Sequence, residues 1–146
     1  MEFTNERGAM AAYVASIFPH GGALIYGSQE VGYPDPINFF KYVAVDWTAN
    51  PNIYKEYKEL ISLYNEYPSL RKGQMKAYED PDVFIFEKSD GDEHFLILVN
   101  VRNEQKTANI PQEWVDYQTE DEITDQDITL KETLTLEPYQ YLIMKF

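Results

Sequence analysis

His20 and His94 are the only two histidines of the chain and stand far apart in it, so a two-histidine metal site or a Ser-His-Asp triad has almost nothing to build on. Cysteine is absent, which removes thiolate nucleophiles, thiolate metal sites and disulfides. The acidic run Glu120-Asp121-Glu122, with Asp125 and Asp127, has the oxygens calcium needs but not the ligand spacing of an EF-hand loop, and reads as a solvated turn. Gly21-Gly22 is not followed by a helix whose N-terminus could cradle a phosphate. Neither a metal nor a cofactor is expected. Aromatic side chains are the remaining chemistry. Tyr33, Phe39, Phe40, Tyr42 and Trp47 crowd one Gly- and Pro-containing stretch, and Trp114 and Tyr117 stand beside Pro111. Flat aromatic faces stack on sugar rings, and they also pack loops and cores; residue type alone leaves both readings open, with packing the simpler.

The elements that must position these groups fall into two halves. Asn5 is a good N-cap for a helix starting at Glu6, and the run from Ala9 to Ala15 is apolar on nearly every face, as in a helix buried between other elements. Pro19 and Gly21-Gly22 should stop it. Ala23-Leu24-Ile25-Tyr26 is a short apolar run with Gly on both sides, the pattern of a strand buried on both faces. Gly27 to Thr48 reads as a long loop. Asn50 and Pro51 then open a second helix, with Ile53, Tyr57, Leu60, Ile61 and Tyr64 at helical spacing until Pro68.

After Gly73 the period changes to two. Strands are expected at Val83–Glu87, Phe95–Asn100, Thr107–Ile110, Ile128–Leu130, Thr133–Leu136 and Tyr139–Phe146, with a hairpin turn at Ser89-Asp90-Gly91-Asp92. In the last run Tyr139, Tyr141 and Ile143 should face one way and Gln140, Leu142 and Met144 the other. The fold class is therefore α+β by segments, with an α-rich part (1–73) ahead of an antiparallel, Greek-key-type β-sandwich (74–146). A strand buried on both faces needs sheet neighbours that the first part does not supply, so that part reads as a piece of something larger, its apolar surfaces folded back on the sandwich or paired with a second copy.

Composition narrows the partners. With 146 residues the chain has room for one compact unit, or a domain plus a remnant. Twelve basic against 25 acidic residues give a net charge of −13, a field that repels phosphate backbones and anionic lipid, so nucleic acid is not an expected partner. The longest apolar stretch, Ala9 to Phe18, is too short to span a bilayer and lacks the features of a signal peptide, so membrane insertion is not expected and no compartment is indicated.

The order of an all-apolar helix, Gly-Gly, Ala23-Leu24-Ile25-Tyr26-Gly27-Ser28-Gln29-Glu30, an aromatic loop, a helix containing Leu60-Ile61-Ser62-Leu63-Tyr64, Leu70-Arg71-Lys72-Gly73 and then a β domain resembles the end of an α-amylase-type glycoside hydrolase of family 13. In that family the last barrel strand carries a Pro-Leu-Ile-Tyr-Tyr-Gly-x-Glu-type segment, matched by Ala23 to Glu30 with Ala23 and Gly27 as departures, and the last barrel helix ends in Leu-Arg-x-Gly. The resemblance implies that 1–73 is an incomplete TIM-barrel remnant (seventh helix, eighth strand, eighth helix) and 74–146 the C-terminal sandwich domain.

It also implies a whole enzyme that hydrolyses α-glucans such as starch and maltooligosaccharides. The two carboxylates that retaining hydrolysis requires come from barrel strands four and five, which have no counterpart here, so no catalytic residue is assigned and the chain alone is expected to be inactive. The Asn-His-Asp segment of the family is matched by Asn5 alone. Gln29, Glu30, Tyr33 and Trp47 would line the rim at the carboxyl end of the last strand in an intact parent, against the simpler reading that Glu30 holds its loop by hydrogen bonds. The alternative function is a carbohydrate-binding β-sandwich module, with Trp114 and Tyr117 as its sugar platform.

Overall fold

The computed structural model describes residues 6–35, 38 and 40–146; the expected cap Asn5 and the loop residue Phe39 lie outside them. Helix α1 (Glu6–His20) buries Met10, Ala11, Tyr13, Val14, Ile17 and Phe18, which go round most of its circumference as the apolar run requires. It does not stop at Pro19 but passes through it to His20. A proline in the last turn already has a helical φ and forfeits only one hydrogen bond. The chain then turns at Gly21, where a Cβ would come within 2.5 Å of the Ser16 carbonyl oxygen. Helices α2 (Pro51–Glu66) and α3 (Pro68–Lys72) follow, each with a proline at its start, and α2 buries Ile53, Tyr57, Leu60 and Leu63 on one stripe.

Eight strands come next: β1 (Gln74–Tyr78), β2 (Val83–Asp90), β3 (Glu93–Asn100), β4 (Lys106–Asn109), β5 (Gln118–Glu120), β6 (Asp127–Thr129), β7 (Thr133–Leu136) and β8 (Tyr141–Lys145). A four-stranded antiparallel sheet has the order β1-β2-β3-β8, and two further ladders pair β4 with β7 and β5 with β6. The pairs β3–β8, β4–β7 and β5–β6 are nested, as in one long hairpin folded over. The β2–β3 turn closes at Asp90 opposite Glu93 as expected, with Gly91 at φ +62°.

The four-stranded sheet is a middle layer buried on both faces. Val83, Ile85, Leu96, Leu98, Leu142 and Met144 pack under Ala108 and Leu136 of the β4–β7 ladder and under Ile110 and Leu130, which flank the small ladders. On the other face Phe86, Phe95, Ile97, Val99, Tyr141 and Ile143 join Met10, Val14, Phe18, Tyr57, Leu60 and Leu70 of the helices. The expected alternation of the last strand holds, with Tyr139 and Tyr141 on the helix side and Leu142 and Met144 opposite. The strand itself starts only at Tyr141, because Tyr139 takes a φ of +58°.

Three expectations change. Ala23–Tyr26 is not a strand: among the described residues no strand pairs with it, and the side that should be buried carries Leu24 at 71% and Tyr26 at 55% exposure. Ala23 and Ile25, on the other side, do pack on the helical core. A lone segment cannot form the ladder that would bury both its faces. Strands β1 and β5 escape the pattern because their sequences are short, polar and half-exposed. The acidic run is not simply solvated either. Asp121 is buried, with Oδ1 accepting the Ile143 N–H at 3.0 Å and Oδ2 accepting the Thr124 N–H and hydroxyl at 3.2 and 2.7 Å, so it pins this turn to β8.

Candidate functional site

The residues expected at a barrel rim lie on the helix side of the sheet. Ser28 and Gly32, both with left-handed φ, bracket a 3₁₀ turn of Gln29–Val31 that packs against α2. Gln29 is committed to structure: its Nε2 donates to the Tyr57 hydroxyl at 2.7 Å and its Oε1 accepts the Tyr26 N–H at 3.3 Å. Glu30 differs, because its Oε2 is buried and has no hydrogen-bond partner among the described residues. The same holds for the Tyr13 hydroxyl, whose ring meets Tyr57 edge-on with centroids 4.7 Å apart. Burial pushes the Tyr13 phenol up to about 12, with the neighbouring Tyr57 and Tyr64 adding to the effect. Tyr33 is half-buried just after the turn, while Trp47 stands 61% exposed ahead of α2. Phe40 and Tyr42 are almost fully exposed.

Trp114 and Tyr117 lie across the sheet, on the side of the small ladders. Trp114 is only 8% exposed, so the ring expected as a platform is instead packed, 4.5 Å from Phe146 and 5.6 Å from Tyr117. Tyr117 is 50% exposed and stands edge-on to both of those rings. Next to them is a polar cluster that the sequence reading did not single out. Strand pairing sets Lys76 opposite Glu87 and Tyr78 opposite Ile85, so both side chains of β1 extend the apolar face of the sheet beyond its covered part. The Tyr78 hydroxyl accepts from Trp114 Nε1 at 3.2 Å and has Glu87 at 2.9 Å and Glu113 at 3.0 Å as acceptors. Lys76 holds Glu113 at 2.5 Å, and His94 Nδ1 lies 2.7 Å from Glu87. The one signal available in the sequence was the charged pair Glu87-Lys88 interrupting the apolar run of β2.

Electrostatics follow from these contacts. The hydrogen bond from Lys76 holds the Glu113 carboxyl down at about 2, and the same contact raises Lys76 above its ordinary value. Burial raises Tyr78. The contact thus favours the charged forms of both Lys76 and Glu113. Among the described residues no group of three or more His, Asp or Glu converges to hold a metal, and no helix is long and apolar enough to cross a membrane.

Comparison with known proteins agrees with this layout. The family model for the maltogenic amylase C-terminal domain matches residues 74–143. Neopullulanase 2 of Thermoactinomyces vulgaris is 29% identical over 136 residues, 85% of this chain and 23% of that protein. A cyclomaltodextrinase of Geobacillus thermopakistaniensis is 31% identical over 97 residues, 62% of this chain and 16% of its own length. Among solved structures, a noncanonic maltogenic α-amylase of Thermotoga neapolitana has a TM-score of 0.81 over 99% of this chain and 37% of its own, at 15% identity. The α-amylase of Geobacillus thermoleovorans complexed with acarbose has a TM-score of 0.78 over 97% and 33%, at 21% identity. The chain thus spans a quarter or less of these two curated relatives.

Proposed function

We propose that this chain, whose residues 74–143 match the maltogenic amylase C-terminal domain and whose fold is that of the C-terminal part of α-amylases, is the non-catalytic end of an α-amylase-family enzyme that hydrolyses α-glucans. In this reading residues 1–73 are the barrel remnant: α1 is the seventh helix, Ala23–Tyr26 the eighth strand and α2 the eighth helix. Residues 74–146 are a Greek-key-type sandwich that stabilises the barrel from its helical side.

One observation carries the reading. The segment Ala23–Tyr26 seats Ala23 and Ile25 on the helical core, turns Leu24 and Tyr26 outward, and has no strand beside it among the described residues. Its outward face, with Leu24 and Tyr26 open to solvent, is what an element made to be covered on its second side retains. Gln29, Glu30, Tyr33 and Trp47 then belong near the glucan only when the rest of the barrel is present.

The test is hydrogen exchange on the isolated chain combined with a reducing-sugar assay on soluble starch. Amides 23–25 should exchange far faster than those of α1 and β3, and no sugar should be released. Protected amides would refute the open strand, and stoichiometric turnover would refute the non-catalytic role. Light scattering at rising concentration reads the remaining consequence, association of the isolated chain through Leu24 and Tyr26, which a Leu24→Lys variant should abolish.

A further inference from the structure

We propose that the uncovered end of the sandwich face, with Tyr117 as the stacking ring and Lys76 and Glu113 as hydrogen-bonding groups, is a glucan-binding surface separate from any barrel active site. Its ligand class, an α-glucan, rests on the reading above; its geometry stands independently. Tyr117 is not a freely rotating surface side chain. Trp114 and Phe146 hold it edge-on from inside at 5.6 Å each, while half of it stays open to solvent. A ring fixed in this way binds with little loss of rotamer freedom.

The polar groups are fixed too. Trp114 Nε1 anchors the Tyr78 hydroxyl, which has only one proton for two carboxylates, so Lys76 supplies the second donor to Glu113. Lys76 also lies 4.6 Å above the Tyr78 ring. Glu113 and Lys76 are both exposed, and offer sugar hydroxyls a charged acceptor and a charged donor next to an aromatic face. The net charge of −13 selects among ligands, since it repels polyanions and leaves a neutral, hydroxyl-rich polymer unopposed. The surface lies across the four-stranded sheet from Gln29 and Glu30, so it holds a chain away from the place where the barrel would cut one.

The experiment is affinity electrophoresis of the isolated chain through gels containing soluble starch, beside a non-binding protein of similar charge, with maltotriose titrations for Kd. The native chain should be retarded, and Tyr117→Ala should weaken binding about tenfold or more. Lys76→Met combined with Glu113→Gln should weaken it as well, which keeps the test intact should Tyr117→Ala melt early. Absence of retardation overturns the surface and leaves the fragment reading untouched. Retardation that survives both variants, or that is lost instead in Trp47→Ala, also overturns it and moves binding to the barrel side. Starch turnover by the chain, in contrast, would refute the fragment reading without bearing on Tyr117.

Discussion

Lys88 is the sharpest test of how the helices are fixed to the sheet. It sits on the helix-facing side of β2, fully buried, and its ammonium donates to the Pro19 carbonyl oxygen at 3.0 Å, at the C-terminal end of α1. It makes no ion pair among the described residues, and loss of hydration lowers its pKa below the ordinary 10.5. Replacing it by Met keeps the volume and has two opposed effects. One charge-assisted hydrogen bond is lost, about 1.5–3 kcal/mol, and the desolvation penalty of a buried ion, several kcal/mol, is relieved. At pH 7 Lys88→Met should therefore be as stable as the native chain or more so.

The pH dependence gives the sign. Between the lowered folded-state pKa and 10.5 the unfolded chain holds a proton that the native chain does not. Stability of the native chain relative to Lys88→Met must therefore rise with pH through that window, at a limiting slope of about 1.4 kcal/mol per pH unit, and level off above it. Urea titrations of both proteins by tryptophan fluorescence from pH 7 to 10.5 measure the difference, and other titrating groups cancel. A difference that stays flat or falls with pH would mean that the helix terminus stabilises the ammonium more than burial penalises it, and the argument would be wrong.

Other perturbations probe the two cores and their polar pins. Ile143→Ala and Leu142→Ala strike opposite faces of one strand, and each should cost about 2–5 kcal/mol in thermal or urea unfolding; unchanged melting for either would misplace β8. Tyr13→Phe deletes a buried hydroxyl without a hydrogen-bond partner among the described residues and should stabilise the isolated chain by up to about 1–3 kcal/mol, so a clear loss of stability would reveal a partner for it. Tyr141→Phe removes the phenol that bonds Glu56, which Arg7 clasps at 2.7 and 2.8 Å. It should cost about 1–3 kcal/mol in urea unfolding, and unchanged stability would show that the phenol, whose pKa burial and that carboxylate raise, does not hold the clasp.

What the sequence made legible was what local pattern controls. The all-round apolar face of α1, the proline-started α2, the Gly91 turn and the alternation from Tyr139 to Met144 all follow from residue type and period, and all are found. Ala23–Tyr26 has the composition of a buried strand, but being a strand depends on neighbours, and composition does not supply them. β1 and β5 are polar and short, so only their partners define them. The polar cluster stayed hidden because Lys76, Glu87, His94 and Glu113 meet through strand register and a 3₁₀ turn, not through spacing along the chain. Trp114 was read as a possible platform from its neighbours in sequence, yet its indole points inward to Phe146 and only Tyr117 keeps an open face.

The nesting of β5–β6 inside β4–β7 inside β3–β8 has a consequence for how the molecule assembles. Phe95 and Lys145 are far apart along the chain, and closing that loop directly would be slow. Pairing that begins at the tip, where Glu120 meets Asp127 across a tight turn, brings the strands of the next ladder close together, and each ladder in turn shortens the loop left for the one outside it. The outermost pairing then comes last, and only with Tyr141 and Ile143 in place is the floor complete on which α1 and α2 rest. On that route the helical layer would dock last, onto a floor that the sheet has already completed.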